Sequence, residues 1–458
     1  MFITDEETIV AQCTPRGSGA VALLRMSGPD AINVAEKFSK LASKQALSKQ
    51  KTHTIHYGWV VDDNKKHIDQ VLFLLMKAPK TFTGQNTVEI TCHNNPFIIE
   101  KIIQQAIAAG ARPAGPGEFT KRAFLNKKID LTQAEAINEL IHANTQTTLK
   151  QALCQVEGSL LNWVTSLEEE LLKALSLCEV RFEFIDEEDM EFDGQIQERL
   201  TSVEQTIEKL KKTFDQQQHI RQGIRIAIIG KVNAGKSSLL NALLSKNRAI
   251  VTQTPGTTRD IIEAGVYRNG NYWTFVDTAG LRKTSDAIEK EGIERSQKET
   301  KNADVILLVF DGSEKMTPED VATYKQIIDE QSSKVILIQN KTDLKQSLNI
   351  PLKSKPILKR STKNKAGIEA IERAVEKKVA KLLGSLELPF LINQRQFNLL
   401  LKLEQEVKKI KQMLTKKTGH ELLSLHLRLA LESLTELSGR TIEKKNLDLI
   451  FENFCVGK

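Results

Sequence analysis

The chain has 458 residues and a formal charge of +7 at pH 7, with a pI near 8.9. A chain of that length is expected to hold two to four domains, and a charge so dilute permits contact with nucleic acid without arguing for it. Its five cysteines, Cys13, Cys92, Cys154, Cys178 and Cys455, include no CxxC pair, no apolar run approaches the ~18–20 residues of a membrane span, and Met1–Glu7 lacks the basic start of a signal peptide, so neither a zinc site, a disulfide framework nor a membrane span is expected, and a cytoplasmic location is.

The first ~120 residues read as α+β, because short β-type runs alternate with turn signals and helical stretches. Those runs are Val21–Met26, Val71–Met76 and Val88–Cys92. The Pro- and Gly-rich stretch Ala111–Gly117 breaks the pattern, and from Phe119 onward the periodicity is helical. Ala152, Leu153, Leu160, Leu161, Val164, Leu167, Leu171 and Leu172 recur at the spacing of one long amphipathic helix. The acidic run Asp186–Asp189 interrupts it and reads as a solvated loop. A further helix near 195–217 precedes a nucleotide-binding unit, and helical periodicity returns from Leu391 to Phe451. The expected division is 1–120, an α/β domain; 121–219 and 381–458, the halves of one helical domain; and 220–380, a guest inserted between them at a loop. Two separate helical domains are the alternative.

The guest carries the chemistry. Gly230-Lys231-Val232-Asn233-Ala234-Gly235-Lys236-Ser237 directly follows the apolar run Ile224–Ile229, the strand-to-helix placement of a phosphate-binding loop. There Gly230 and Gly235 let backbone N–H groups close around the β- and γ-phosphates, Lys236 adds a point charge, and the Ser237 hydroxyl reaches Mg²⁺. Asp277-Thr278-Ala279-Gly280 follows the strand-like Tyr272–Val276, which sets a carboxylate beside Mg²⁺ and a glycine N–H under the γ-phosphate. Asn340-Lys341-Thr342-Asp343 follows the apolar Val335–Ile338. A carboxylate at Asp343 accepts both donors of a guanine edge, N1–H and the 2-amino group, whereas adenine offers neither, so the nucleotide is GTP. Ser361–Lys363 stands where GTPases close over the base. Ala234 and Ser238 complete the set of nucleotide contacts from the loop.

The position after Asp277–Gly280 is Leu281, where Ras-like GTPases hold a glutamine that orients the attacking water, and leucine cannot do so. Another group has to, and the charged stretch 282–295 supplies candidates, among which Glu289 is chosen partly by position and mainly by the resemblance given below. The transition-state cation is also to be found. The Asn233 side-chain carbonyl sits where it can ligate a monovalent cation beside the phosphates. The loop Val251–Asp260, with Thr252, Gln253, Thr254, Pro255, Gly256 and Thr257, adds backbone carbonyls, and the Thr258 hydroxyl reaches Mg²⁺. A potassium ion there replaces an arginine finger; Arg259 is the rival.

Three segments outside the guest narrow the reading: Asp5–Gln12, Phe119–Ile137 with its Arg122-Ala123-Phe124-Leu125-Asn126, and the ending Phe454-Cys455-Val456-Gly457-Lys458. With them the chain resembles, end to end, the MnmE (TrmE) family of bacterial and organellar tRNA-modification GTPases. The resemblance implies α/β and α architecture: an N-terminal α/β folate-binding-like domain, a discontinuous helical domain, and an inserted Ras-like P-loop GTPase domain with a mostly parallel sheet. It implies a homodimer formed through the N-terminal domains, whose nucleotide domains meet when GTP and potassium are bound. It also implies the FAD-dependent partner MnmG (GidA), in a heterotetramer or larger assembly. Together they add an aminomethyl or carboxymethylaminomethyl group at C5 of the wobble uridine of certain tRNAs, with the one-carbon unit drawn from 5-formyl- or methylene-tetrahydrofolate.

Carried over by motif, the potassium ligands fall on Asn233, Thr252, Thr254 and Thr257, the magnesium ligands on Ser237 and Thr258, and the water-orienting glutamate on Glu289. Folate contacts fall on Arg25, Glu89, Lys128 and Lys458, types that suit a donor-rich pterin edge and an anionic glutamate tail. Cys455 matches the family's carboxy-terminal cysteine, required for the modification step; a thiolate there is a competent nucleophile, and a small buried residue is the alternative. The chain departs from the family at Asn94-Asn95, in place of Gly-Gly, at Gln85-Asn86, in place of Glu-Asp, and at Thr254. Asparagine tolerates a left-handed backbone, so the Asn94-Asn95 loop is expected to keep its geometry. A ribosome-assembly GTPase is disfavoured by the helical tail, and a GTP-switched folate-binding scaffold remains an alternative that the residues separate poorly.

Overall fold

The computed structural model describes residues 7–183, 192–231, 233–245, 263–268, 271–277, 301–347, 356–363, 365–383, 388–416 and 420–457. The chain divides into two compact units: one of 1–141, 155–204 and 395–458, the other of 142–154 and 205–394.

In the first unit, β1 (Ile9–Gln12), β2 (Val21–Ser27), β3 (Ser39–Leu41), β4 (Thr54–Val61), β5 (His67–Met76), β6 (Thr87–His93) and β7 (Arg112–Pro113) form a seven-stranded sheet in the order β3-β4-β5-β6-β2-β1-β7. All pairings are antiparallel except β1 with β7. The strands alternate, as a sheet covered on one face must. Ala22, Leu24 and Met26 of β2 and Val88, Ile90 and Cys92 of β6 point into a core closed by the helices Ala31–Phe38 and Pro96–Ala108. The opposite face carries Leu23, Arg25, Glu89 and Thr91 and leaves Ile55, Tyr57 and Leu72 exposed. Burial of the Cys92 thiol, with the Asp69 charge nearby, pushes its pKa up to about 12, so it behaves as an apolar core residue.

The helical part of this unit contains Glu118–Leu125, Leu131–His142, Ser159–Glu183, Gln394–Thr415, His420–Ser438 and Lys444–Phe451. The single long helix expected over Ala152–Leu172 is instead two. Gly158, with φ 98°, separates Gln146–Val156 from Ser159–Glu183, a left-handed break that apolar spacing alone does not register. Segments on either side of the guest are bonded to each other: Arg395 donates to both oxygens of Glu135 at 2.8 Å, and Gln396 donates to the same carboxylate at 2.7 Å. Leu131, Ala134, Leu447, Phe451 and Phe454 pack in one cluster, which seats the last helix and the tail.

The second unit is a six-stranded sheet in the order β13-β12-β11-β8-β10-β9, comprising β8 (Ile224–Ile229), β9 (Glu263–Arg268), β10 (Asn271–Asp277), β11 (Val305–Asp311), β12 (Val335–Asn340) and β13 (Ile357–Lys359). Every pairing is parallel but β9 with β10. Helices cover both faces, which is why β8 from Ile226 to Ile229 and β11 from Val305 to Phe310 are continuous apolar runs. Ile226, Ile228, Leu307 and Val309 enter the core beneath Lys236–Ser245 and Lys365–Leu383, while Ala227, Ile229, Ile306 and Leu308 enter the core beneath Pro318–Glu330.

Candidate functional site

The loop from β8 to the helix Lys236–Ser245 lies at the carboxyl end of a central parallel strand, where open α/β sheets bind ligands. It turns through two left-handed residues, Asn233 (φ 64°) and Gly235 (φ 93°). Glycine is required by space as well: a Cβ on Gly235 would lie 2.2 Å from Asn340 Nδ2, and one on Gly230 would lie 2.3 Å from the Val309 carbonyl. Lys236 is buried and its ammonium donates to the carbonyls of Gly230 and Lys231, both at 2.7 Å. The loop thus wraps a fixed positive charge, as a phosphate cradle needs. Ala234 is buried beneath it, whereas Asn233, Ser237 and Ser238 are exposed. Ser237 and Ser238 lie on the first turn of the helix Lys236–Ser245, the end at which helices bind anions.

Asn340 closes β12 and is 1% exposed. Its Nδ2 donates to the Ala234 carbonyl at 2.9 Å and its Oδ1 accepts from the Thr362 N–H at 3.0 Å, which ties the phosphate loop to the 361–363 segment. Asp343 is exposed and accepts from the Ser361 hydroxyl at 2.7 Å, a bond that holds its carboxyl below the usual carboxylate range. Lys341, left-handed at φ 58°, forms an ion pair with Asp311 at the end of β11. Burial pushes the Asp311 carboxyl up, but the Lys341 and Ser313 hydrogen bonds outweigh it and the pKa is lowered. Sequence reading missed Asp311; an aspartate at the end of an apolar strand was the available signal. Asp277 closes β10, in register with Ile228 of β8.

In the first unit, Arg25 and Glu89 are direct cross-strand partners, bonded at 2.7 Å. The Arg25 guanidinium lies 5.7 Å from the Phe119 ring centroid. Lys128 is exposed on another segment, its ammonium on the Pro79 carbonyl at 3.1 Å. Asn95 is extended (φ −117°) and makes no use of the left-handed backbone that asparagine tolerates, because its side chain caps the helix Pro96–Ala108 by accepting from Phe97 N. Asn94 donates to the Gly17 carbonyl at 2.8 Å. Gln85 accepts from the buried Arg122 at 3.0 Å and Asn86 accepts from Ala78 N–H, so both departures are built into the fold. Cys455 is exposed beyond the last helix, with its carbonyl accepting from Gly117 N at 3.2 Å. Thr252, Gln253, Thr254, Pro255, Gly256, Thr257, Thr258, Thr278, Ala279, Gly280, Glu289 and Lys458 lie outside the described residues, as does the run Asp186–Asp189. No helix among the described residues is long and apolar enough to cross a membrane.

A family model described as the GTP-binding protein TrmE N-terminus matches residues 8–128, and one described as the MnmE helical domain matches residues 131–455. The tRNA modification GTPase MnmE of Bacillus pumilus is 38% identical over 99% of this chain and 100% of its own length. That of Geobacillus thermodenitrificans is 39% identical over 100% of both. A solved structure of Era from Aquifex aeolicus is 26% identical over 40% of this chain and 66% of its own, with a TM-score of 0.25. With a phosphate cradle closed against Asn340 and relatives matched from end to end, the chain belongs to the MnmE (TrmE) family of tRNA modification GTPases.

Proposed function

We propose that the chain hydrolyses GTP and uses the cycle to modify the wobble uridine of certain tRNAs at C5, together with an FAD-dependent MnmG partner. The observation that carries the hydrolytic part is the bond from Asn340 to the Ala234 carbonyl, which sets the base-reading strand end against the phosphate loop. Lys236 neutralises phosphate charge, and Asp343 selects guanine by accepting its two edge donors.

The exposed Ser237 and Asn233 fit the donor sets of magnesium and potassium respectively, a hydroxyl at a helix start and an amide oxygen beside the phosphates. Thr258 is the second magnesium ligand, and Thr252, Thr254 and Thr257 complete the potassium set. When bound, the two cations neutralise charge developing on the transferred phosphoryl group. Glu289 orients the attacking water in place of the glutamine absent at Leu281.

Arg25, Glu89, Lys128 and Lys458 hold a 5-formyl- or methylene-tetrahydrofolate, and Cys455 acts in the modification step. The half-buried Arg25 and Glu89 suit such a ligand, since a polar pair held out of bulk water discriminates hydrogen-bonding partners strongly. A second copy of the chain pairs through the N-terminal domain, whose sheet leaves Ile55, Tyr57 and Leu72 exposed. Nucleotide competition tests the hydrolytic reading: turnover of GTP, with Asp343→Asn losing it and ATP never replacing it, is the expected result. ATP turnover equal to that of GTP contradicts it.

A further inference from the structure

The family reading leaves open where the RNA sits, and the inference below rests on that reading. Three segments of the first unit are stitched together at one end of the N-terminal sheet. Lys77 donates its N–H to Thr52 Oγ1 at 2.8 Å and its ammonium to the Ser48 carbonyl at 3.1 Å. The His53 ring is 2.9 Å from the Lys80 carbonyl. Lys128 reaches the Pro79 carbonyl, and Asn126 donates to the Thr83 carbonyl at 2.7 Å. The turn residues His53 and Lys127 are left-handed, with φ 59° and 55°.

These segments, 47–53, 77–86 and 124–129, carry the lysines Lys49, Lys51, Lys77, Lys80, Lys127 and Lys128 and no aspartate or glutamate. All six but the half-buried Lys77 are exposed. The carboxylate nearest in the hydrogen-bond network, Glu36, accepts from the Ser48 N–H at 2.7 Å and is also within the field of Lys49, so it offsets part of that one charge and leaves the other five lysines of the surface to face solvent or backbone. On the helix Gln394–Thr415, by contrast, Lys408, Lys409 and Lys411 each meet a carboxylate. Charge of one sign, packed on backbone that is pinned by hydrogen bonds, is what a run of phosphates recognises. Phe82 is 40% exposed within the same patch and offers a ring on which an unpaired base can stack.

We infer that this lysine surface is the contact face for the tRNA backbone. It neutralises successive phosphates, and it borders Lys128 of the proposed folate site, so bound RNA lies alongside the one-carbon donor.

The test is binding of an unmodified tRNA transcript to the full-length protein across a salt series. It compares wild type with a Lys49→Gln, Lys51→Gln, Lys80→Gln triple variant and with a control triple at the exposed Lys101, Lys402 and Lys445. The patch variant should bind about tenfold or more weakly, and its slope of log K against log salt should fall by roughly 2–3, as expected for three lost phosphate contacts. GTP turnover without RNA should be unchanged, and the control should bind as wild type. Equal affinity and slope in patch variant and wild type overturn the surface while leaving the family reading intact, as does equal weakening of the control. A wild-type protein that binds no tRNA overturns both. Unchanged RNA affinity with lost affinity for a folate pentaglutamate would overturn the proposal by assigning the lysines to the folate tail.

Discussion

Asn340 and Ala234, 106 positions apart, are joined by a 2.9 Å hydrogen bond from the Asn340 amide to the Ala234 carbonyl, and the same amide nitrogen fills the space where a Cβ on Gly235 would stand. The end of β12 and the phosphate loop are therefore directly tied and closely packed. Gly235→Ala forces that amide away and places a side chain at φ 93°, a conformation costing an L-residue about 1–2 kcal/mol before any clash. GDP affinity, read with a fluorescent nucleotide, should fall by roughly tenfold or more. Affinity equal to wild type would show that the loop relaxes freely.

The Ser361 hydroxyl donates to Asp343, the proposed reader of the guanine base. Replacing Ser361 with Ala removes one hydrogen bond to a charged group that solvent already screens at this exposed position. GTP affinity should fall several-fold in Ser361→Ala and much further in Asp343→Asn, measured by equilibrium dialysis. Because the Asp343 pKa is lowered in the folded protein, its guanine contact should be complete above the ordinary aspartate range and lost only as pH falls below it. Loss of GTP affinity beginning near neutral pH would contradict this.

A second pH dependence belongs to the first unit. Burial pushes the Glu118 carboxyl up, but bonds from Arg112, Gly115 N–H and Arg122 outweigh burial and bring its pKa from 4.5 to about 2. A depressed folded value means stability that is full above 4.5 and lost as pH falls toward about 2. The gap corresponds to about 3 kcal/mol. Hydrogen exchange at β1 and β7 should accelerate across that window in wild type, after correction for intrinsic rates. In Glu118→Gln it should be fast already at neutral pH and flat with pH; parallel profiles for the two proteins would count against the account.

Much of the nucleotide site was legible because phosphate cradles are local: Gly230 to Ser237 form one turn, and their spacing specifies it. The ties that make the site rigid were not legible, because Asn340–Ala234 and Lys341–Asp311 depend on strand order. The same holds for Arg25 and Glu89, whose pairing is a matter of register between β2 and β6. Asn95 shows a different limit. Its residue type is compatible with a left-handed turn and with a helix cap, and only the following Pro96 and the Phe97 N–H at the helix start decide for the cap. The break at Gly158 escaped an analysis of apolar spacing because both flanking helices keep the same periodicity.

Asn233 holds an exposed amide beside the cradle on a left-handed backbone. If it ligates potassium, GTP turnover should be much faster in potassium than in sodium at equal ionic strength, and Asn233→Ala should remove the difference while leaving GDP binding in place. Equal turnover in the two salts removes the cation from the mechanism.

The most direct measurement is mass spectrometry of wobble uridines from cells lacking this protein, with and without complementation. The account predicts that the C5-modified nucleosides disappear, return with the wild-type chain, and do not return with Lys236→Ala, which removes the charge held by the Gly230 and Lys231 carbonyls. Wobble nucleosides unchanged by the loss of the protein would contradict it.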